Sequence, residues 1–323
     1  MSHRFVTSAM TATVCLALLG PARVNGQVAG RPWTPPRTSE GRPNFEGVWS
    51  METLTPLERP AELAGKEFLT EAEAREYARR TLQETDRDRR DGSNDVDLRR
   101  NYNEFWRERG TSVVGSRRTS LIIDPPDGRI PAMTPEARKK RAAMSEAARL
   151  PSGPEDLALR IRCITRGLPM VPTPNNNFFR IVQAPGTVAI LQEMMYETRI
   201  IPTNARPHAP QGVRGYMGDA RGHWDGDTLV IDTTNFIGKN DFLGSDENLH
   251  LSERLTRTDA NTILYTFTVD DPTAFTRPWS AEIPLTKTRE GIFDYECHEG
   301  NYSMTDILAG ARAEEKRAKV DGR

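Results

Sequence analysis

The chain has 323 residues, with 44 Lys and Arg against 45 Asp and Glu and 37% hydrophobic residues. That balance gives no reason to expect nucleic acid or an anionic membrane surface as a partner. The length suits one large domain or two small ones, and no repeat of solenoid period runs through it.

Residues 1–26 carry the three parts of a secretory signal. Arg4 makes a positive start, Phe5 to Gly20 form an uncharged apolar stretch, and Pro21 then leads into small or turn residues up to Gly26. The apolar stretch is short for a bilayer span, so cleavage near Gly26 and export to the periplasm or the exterior are expected. Removal takes away Arg4 and Arg23 and no acid, leaving 42 basic and 45 acidic side chains, a net charge of −3. Nothing after residue 26 is apolar enough for a second membrane segment, so no membrane insertion is expected. Cys15 leaves with the signal. Cys163 and Cys297 stay and are expected to form a disulfide in an oxidising compartment. The alternative is a cysteine nucleophile beside His298. It is weakened because adjacent side chains on a strand point to opposite faces.

Residues 27–65 read as an extended, proline-rich arm, interrupted by Phe45-Glu46-Gly47-Val48-Trp49. Residues 66–165 read as a charged, helical region packing on the main domain. Thr70 followed by Glu73 forms a capping-box pattern, which predicts a helix to about Glu84. Asp86 to Asp97 has many charges and few apolar groups and reads as solvated loop. Phe105 and Trp106, within Asn101 to Arg109, are expected to dock on the main domain. Leu121-Ile122-Ile123 followed by Asp124-Pro125-Pro126-Asp127-Gly128 predicts a strand and a turn. Thr134 caps a basic helix to about Leu150, and Pro154 to Ile161 forms a further short helix leading to Cys163.

From Phe178 the hydrophobic period becomes two. The segments are 178–183, 187–201, 215–224, 228–236, 249–257, 262–269, 278–286 and 292–299. Turn chemistry separates most of them, at Ala184-Pro185-Gly186, Asp225-Gly226-Asp227, Asp259-Ala260-Asn261 and Arg289-Glu290-Gly291. Eight strands in sequence order predict a mainly β fold: an antiparallel, up-and-down, eight-strand barrel-like meander over 170–302. Closure removes exposed edges; an open sheet or a two-sheet sandwich is the competing architecture. Residues 303–323 hold an amphipathic helix, from Thr305 to about Lys319. Its Ile307, Leu308 and Ala311 are expected to cover an end or flank of the sheet.

Phe45-Glu46-Gly47-Val48-Trp49 resembles the Gly-x-Trp motif that opens lipocalin-like (calycin) barrels. The resemblance implies a barrel in which Trp49 plugs one end. It departs from the lipocalin order, because a helical segment separates the motif from the eight strands. The chain as a whole resembles a set of uncharacterised secreted bacterial proteins through Leu54-Thr55-Pro56-Leu57-Glu58-Arg59-Pro60, Gly222-His223-Trp224-Asp225-Gly226-Asp227 and Cys297-His298-Glu299-Gly300-Asn301-Tyr302. That resemblance implies no activity.

Strand alternation shows which polar side chains share an apolar face. Glu253 alternates with Leu249, Leu251 and Leu255, and Glu299 ends the row Phe293, Tyr295, Cys297. Glu193 lies between Leu191 and Met195. Acids on an inner face could supply general acid and base; otherwise each sits at a barrel rim or pairs with an arginine such as Arg180 or Arg199. Arg206 and His208 stand in the proline-rich connection 202–214, and long loops of this kind often carry binding groups. Trp49, Tyr196, Trp224 and Asn177 are candidates for contact with a ligand; core packing and turn chemistry are the competing roles. No histidine shows a metal-ligand spacing, so no metal site is expected. Phosphate loops, nucleophile elbows and Cys-x-x-Cys are missing from the sequence, and no cofactor is implied.

Two functions remain. One is an exported barrel holding a small, partly apolar molecule, with cofactor-independent lyase, isomerase or hydrolase chemistry carried by Glu253, Glu299, Glu193, His208 and Arg206. The other is a structural or interaction scaffold of the cell envelope, meeting a protein partner through the charged 66–110 region.

Overall fold

The computed structural model describes residues 33–100, 103–238 and 242–322. The expected signal segment and Cys15 lie outside the described residues. Everything below concerns the compact unit Thr34–Arg323.

The strands are β1 (Gly47–Ser50), β2 (Ile122–Asp124), β3 (Phe178–Ala184), β4 (Thr187–Gln192), β5 (Glu197–Pro202), β6 (Asp219–Asp225), β7 (Thr228–Thr234), β8 (His250–Arg257), β9 (Thr262–Asp270) and β10 (Trp279–Thr288). Around the sheet they run β5-β4-β3-β1-β10-β9-β8-β7-β6. Every neighbouring pair is antiparallel. The fold is therefore a mainly β, nearly closed antiparallel barrel of the lipocalin-like meander kind. Strand β2 pairs with the far end of β10, beyond the reach of β1.

The path has nine strands. Alternating directions over an odd number leave the two end strands, β5 and β6, parallel to each other. The barrel closes there by close packing. A Cβ added to Gly222 of β6 would lie 2.9 Å from Cγ2 of both Ile201 and Thr203. Only glycine lets the two backbones come this near. The parallel seam also explains the long connection from 203 to 218. It must return from one end of the barrel to the other before β6 begins.

Period-two patterning does the rest. Leu229, Ile231 and Thr233 of β7, Leu251, Glu253 and Leu255 of β8, and Ile263, Tyr265, Phe267 and Val269 of β9 are all buried. Their neighbours along each strand are outside. The end holding the β3–β4, β6–β7 and β8–β9 turns is closed by Trp49. Its ring is fully buried, its Nε1 donates to the Phe45 carbonyl at 2.8 Å, and the Arg257 guanidinium lies 5.5 Å from the ring centre. The opposite end, with the β4–β5 turn, is the mouth.

Several expectations need correction. Segment 187–201 is two strands, because Met195 and Tyr196 take positive φ in a turn at Met194–Tyr196. Residues 292–299 form no strand; the chain there is irregular and Phe293 is 67% exposed. The barrel also recruits β1 and β2 from outside 170–302, so it has nine strands in its ring where eight were expected. Helix α1 (Glu71–Thr85) has the predicted capping box at Thr70 and Glu73. Helix α2 (Asn94–Arg99) occupies part of the expected loop 86–97. Phe105 and Trp106 do not dock: they are 81% and 58% exposed, on a turn that the Glu104 pairs with Arg107 and Arg109 hold. Helix α3 (Pro135–Arg149) starts at Thr134 as expected. Helix α4 (Tyr302–Val320) buries Ala311 alone of its residues and packs through Arg312 on the carbonyls of Pro151 and Ser152, which follow α3.

Candidate functional site

The inward row of β8 places Glu253 inside the barrel, and the inward row of β5 places Arg199 opposite it. Arg199 grips Glu253 with two bonds, Nη1 to Oε1 at 3.0 Å and Nη2 to Oε2 at 2.7 Å. The Tyr265 hydroxyl donates to Oε1 at 2.8 Å, and Arg199 Nη2 also donates to Thr233 Oγ1 at 3.1 Å. Burial alone would push the guanidinium down, but the Glu253 carboxylate beside it wins, so Arg199 stays charged. Burial and the Glu253 charge hold the Tyr265 phenol well above its ordinary range. The phenol is a hydrogen-bond donor here. Both oxygens of Glu253 are engaged, so this carboxylate is a structural partner of Arg199.

The chain's own segment 165–171 enters the mouth above this cluster. Leu168 and Met170 are buried, and the Met170 backbone hydrogen-bonds the Tyr265 hydroxyl. Thr165 donates its hydroxyl to Glu197 Oε2 at 2.5 Å. Burial raises the Glu197 carboxyl, with the Thr165 bond opposing. Arg166 is pushed down to about 10 by burial, and its Nη2 donates to the Val171 carbonyl at 2.5 Å. The Cys163–Cys297 disulfide, with a Cα–Cα distance of 5.7 Å, anchors the start of this segment to the chain after β10. Cys297 lies in a turn there, not on a strand.

One inward side chain in this layer is unsatisfied. Gln192 ends the buried row Val188, Ile190, Gln192 of β4. It faces Glu197 across the β4–β5 ladder, one step diagonal from Arg199. Neither amide atom of Gln192, nor Arg199 Nε, has a hydrogen-bond partner among the described residues.

A second polar cluster lies on the outer wall. Asp219 of β6, Asp232 of β7 and His250 of β8 point outward, and the 203–218 connection lays His208 between them. His208 Nδ1 meets Asp219 Oδ2 at 3.0 Å and Nε2 meets Asp232 Oδ1 at 2.9 Å. His250 Nε2 meets the other Asp232 oxygen, and the Ala209 backbone N–H donates to Asp219 at 2.8 Å. The cluster clamps the connection to the barrel wall. No group of three or more His, Cys, Asp or Glu among the described residues is arranged to hold a metal ion.

The expected acid–base set does not converge. Glu253 is inside the wall and His208 outside it. Arg206 is exposed on the connection, and Glu299 is exposed in the turn after Cys297, beside Glu296. Glu193 is buried at the outer rim next to the β4–β5 turn, with Tyr196 beside it at 47% exposure. Asn177 is spent on structure: its Nδ2 donates to the Glu108 and Thr173 carbonyls at 2.6 and 2.7 Å, and its Oδ1 accepts from Thr173 N at 2.8 Å. Trp49 and Trp224 sit at the closed end. Trp224 borders a small cavity of about 40 Å³ there, with Arg42 and Gln183. No helix of the described residues is long and apolar enough to cross a membrane.

Sequence reading named Arg199 only as one of two structural partners for the acids, and it did not single out Gln192, Tyr265, Asp219 or Asp232. The signal for Arg199 was its alternation with Ile201. Reading 187–201 as one strand hid it, because the Met194–Tyr196 turn reverses the inward phase from even to odd residues. Comparison with protein families, curated proteins and solved structures finds no match to this chain.

Proposed function

We propose that the protein is an exported barrel that binds a small, partly apolar molecule at its mouth, and that Glu253 serves this by holding Arg199 rather than by acid–base chemistry. The observation that carries the reading is Gln192, an amide sealed on the inner face with both polar atoms unpaired beside the free Nε of Arg199. An unmet buried polar group costs about 1–3 kcal/mol. A ligand with one acceptor and one donor would offset that cost, with its apolar body against Phe179 and Leu168. The secretory features of residues 1–26 and the paired cysteines support an exported location.

Native mass spectrometry of protein purified from the periplasm tests the reading directly, because a retained small molecule adds a discrete mass. Gln192→Leu should remove that mass and raise stability by about 1–3 kcal/mol, since the unpaired amide is gone while the size is nearly kept. A wild-type protein with no added mass, together with a destabilised Q192L, would overturn it. Burial of Leu168 and Met170 of segment 165–171 favours the second reading in that event: a scaffold of the cell envelope whose charged 66–110 region meets a protein partner.

A further inference from the structure

We propose a second binding site, for an organic cation, on the outer rim where Glu193, Glu52, Glu108 and Glu290 gather. It is separate from the barrel interior.

Four parts of the chain build it. Glu193 follows β4, and Glu52 follows β1. Gly110, with φ +74, lets 108–110 lie on Glu52: a Cβ at Gly110 would come 3.1 Å from the Glu52 Cβ. The Asn177 amide fixes the Glu108 backbone at 2.6 Å, and the Asn176 N–H holds Glu108 Oε2 at 2.9 Å. The segment after β10 brings Glu290 and Phe293.

Glu193 is the point of the site. It is 0% exposed; its Oε1 accepts the Phe293 N–H at 3.3 Å, while its Oε2 is enclosed with no hydrogen-bond partner among the described residues. The charges acting on it are the carboxylates of Glu108 and Glu52, and those acting on Glu52 are Glu108 and Glu290. Exposure falls from Glu290 at the surface, through half-buried Glu52 and Glu108, to buried Glu193. Carboxylates graded in this way focus a negative potential on the innermost group. Burial first, and the neighbouring acids with it, raise both Glu193 and Glu52. A cation seated among them would reverse that effect.

The rings at the rim indicate an organic cation rather than a metal. Phe293 and Tyr196 both hydrogen-bond Glu193 through their backbone N–H groups, and the two residues are 67% and 47% exposed. Exposed aromatic residues held next to a buried carboxylate suit an alkylammonium or guanidinium group. The described carboxylates do not form a metal-holding group.

The test is calorimetric titration of the whole mature protein with benzyltrimethylammonium chloride at low salt. Benzyl alcohol serves as the uncharged comparator and calcium chloride as the metal. We expect saturable binding of the ammonium probe and none of the alcohol. Glu193→Gln should weaken binding by about tenfold or more, the loss of one charge-assisted contact. Phe293→Ala, at an exposed position that leaves the fold intact, should weaken it about threefold. At pH just above the ordinary carboxyl value of 4.5 the binding heat should vary with the buffer's ionisation enthalpy, because the cation displaces protons from the raised carboxyls. If E193Q fails to fold, Glu52→Gln at its half-buried position carries the same test. No saturable ammonium binding, equal binding of the alcohol, tighter binding of calcium, or affinity unchanged in both the acid and the Phe293 variants would each overturn the proposal.

Discussion

Glu253 shows how a single inward residue changes meaning once its partner is known. On sequence alone, a carboxylate in a leucine row reads as a candidate acid or base, and a Gln there looks harmless because the shape is kept. With Arg199 clasping both oxygens, the same substitution leaves a buried guanidinium facing a neutral amide. Breaking one side of a buried pair costs about 3–5 kcal/mol, whereas replacing both by apolar groups is often neutral or stabilising. Glu253→Gln is therefore expected to lower stability by about 3–5 kcal/mol in chemical denaturation. The double variant Arg199→Met, Glu253→Leu should recover most of the loss. An E253Q protein as stable as wild type would show that the pair is not what holds this layer together. The residue type and its face were legible in the leucine alternation. The partner was narrowed only to Arg180 or Arg199, because Arg199 comes from a strand on the other side of the barrel, and contacts across a barrel leave no mark in local spacing.

At the scale of elements, the segment 163–170 and its disulfide carry the next expectation. The bond closes a loop of 134 residues between the helical region and the chain after β10. In the chain-entropy account, a loop of this length is worth about 3–5 kcal/mol. Cys163→Ser with Cys297→Ser should cost about that much, and hydrogen exchange should locate the effect. Amides of 163–170 should lose protection first, while β7 to β9 keep theirs. Uniform loss across the barrel would mean the bond steadies the whole fold and not the mouth segment. The pairing was legible, since the chain after residue 26 holds only two cysteines. So were the capping box of α1, the Asp-Gly hairpin between β6 and β7, and most of the β strands, because their periods are local. What local reading missed has a common cause. Strand β1 is four residues long and far from its neighbours in sequence. Residues 292–299 alternate well enough for a strand, but β1 already occupies the edge of β10 that they would need. A ladder partner, not a pattern, decides whether an alternating segment becomes a strand.

For the molecule as a whole, the chain holds carboxyls of two opposite kinds, and stability should follow both. Burial raises Glu52, Glu193 and Glu197 in the folded state. Above their ordinary value of 4.5, and up to the raised folded value, the folded chain holds more protons than the unfolded one. Stability from these groups is therefore complete at the acidic side of that window and declines as pH rises through it. The exposed acids Glu73 and Asp91 are of the other kind, each held down to about 2: Glu73 by its bonds to Lys66 and Thr70, Asp91 by Arg89 and Arg100. For them the unfolded chain binds protons first as pH falls below the ordinary carboxylate range, so their contribution, small because solvent screens it, is lost between there and about 2. The two trends meet in mildly acidic solution. Urea denaturation across pH 3 to 8 should give a stability maximum at roughly pH 4–6, with a falling limb toward neutrality. Glu197→Gln and Glu193→Gln, which carry no charge at any pH, should each flatten that limb and leave the acidic limb in place. A profile that rises steadily from pH 4 to 8, or one whose neutral limb both variants leave untouched, would show that these buried carboxyls keep their charge in the folded barrel at little cost.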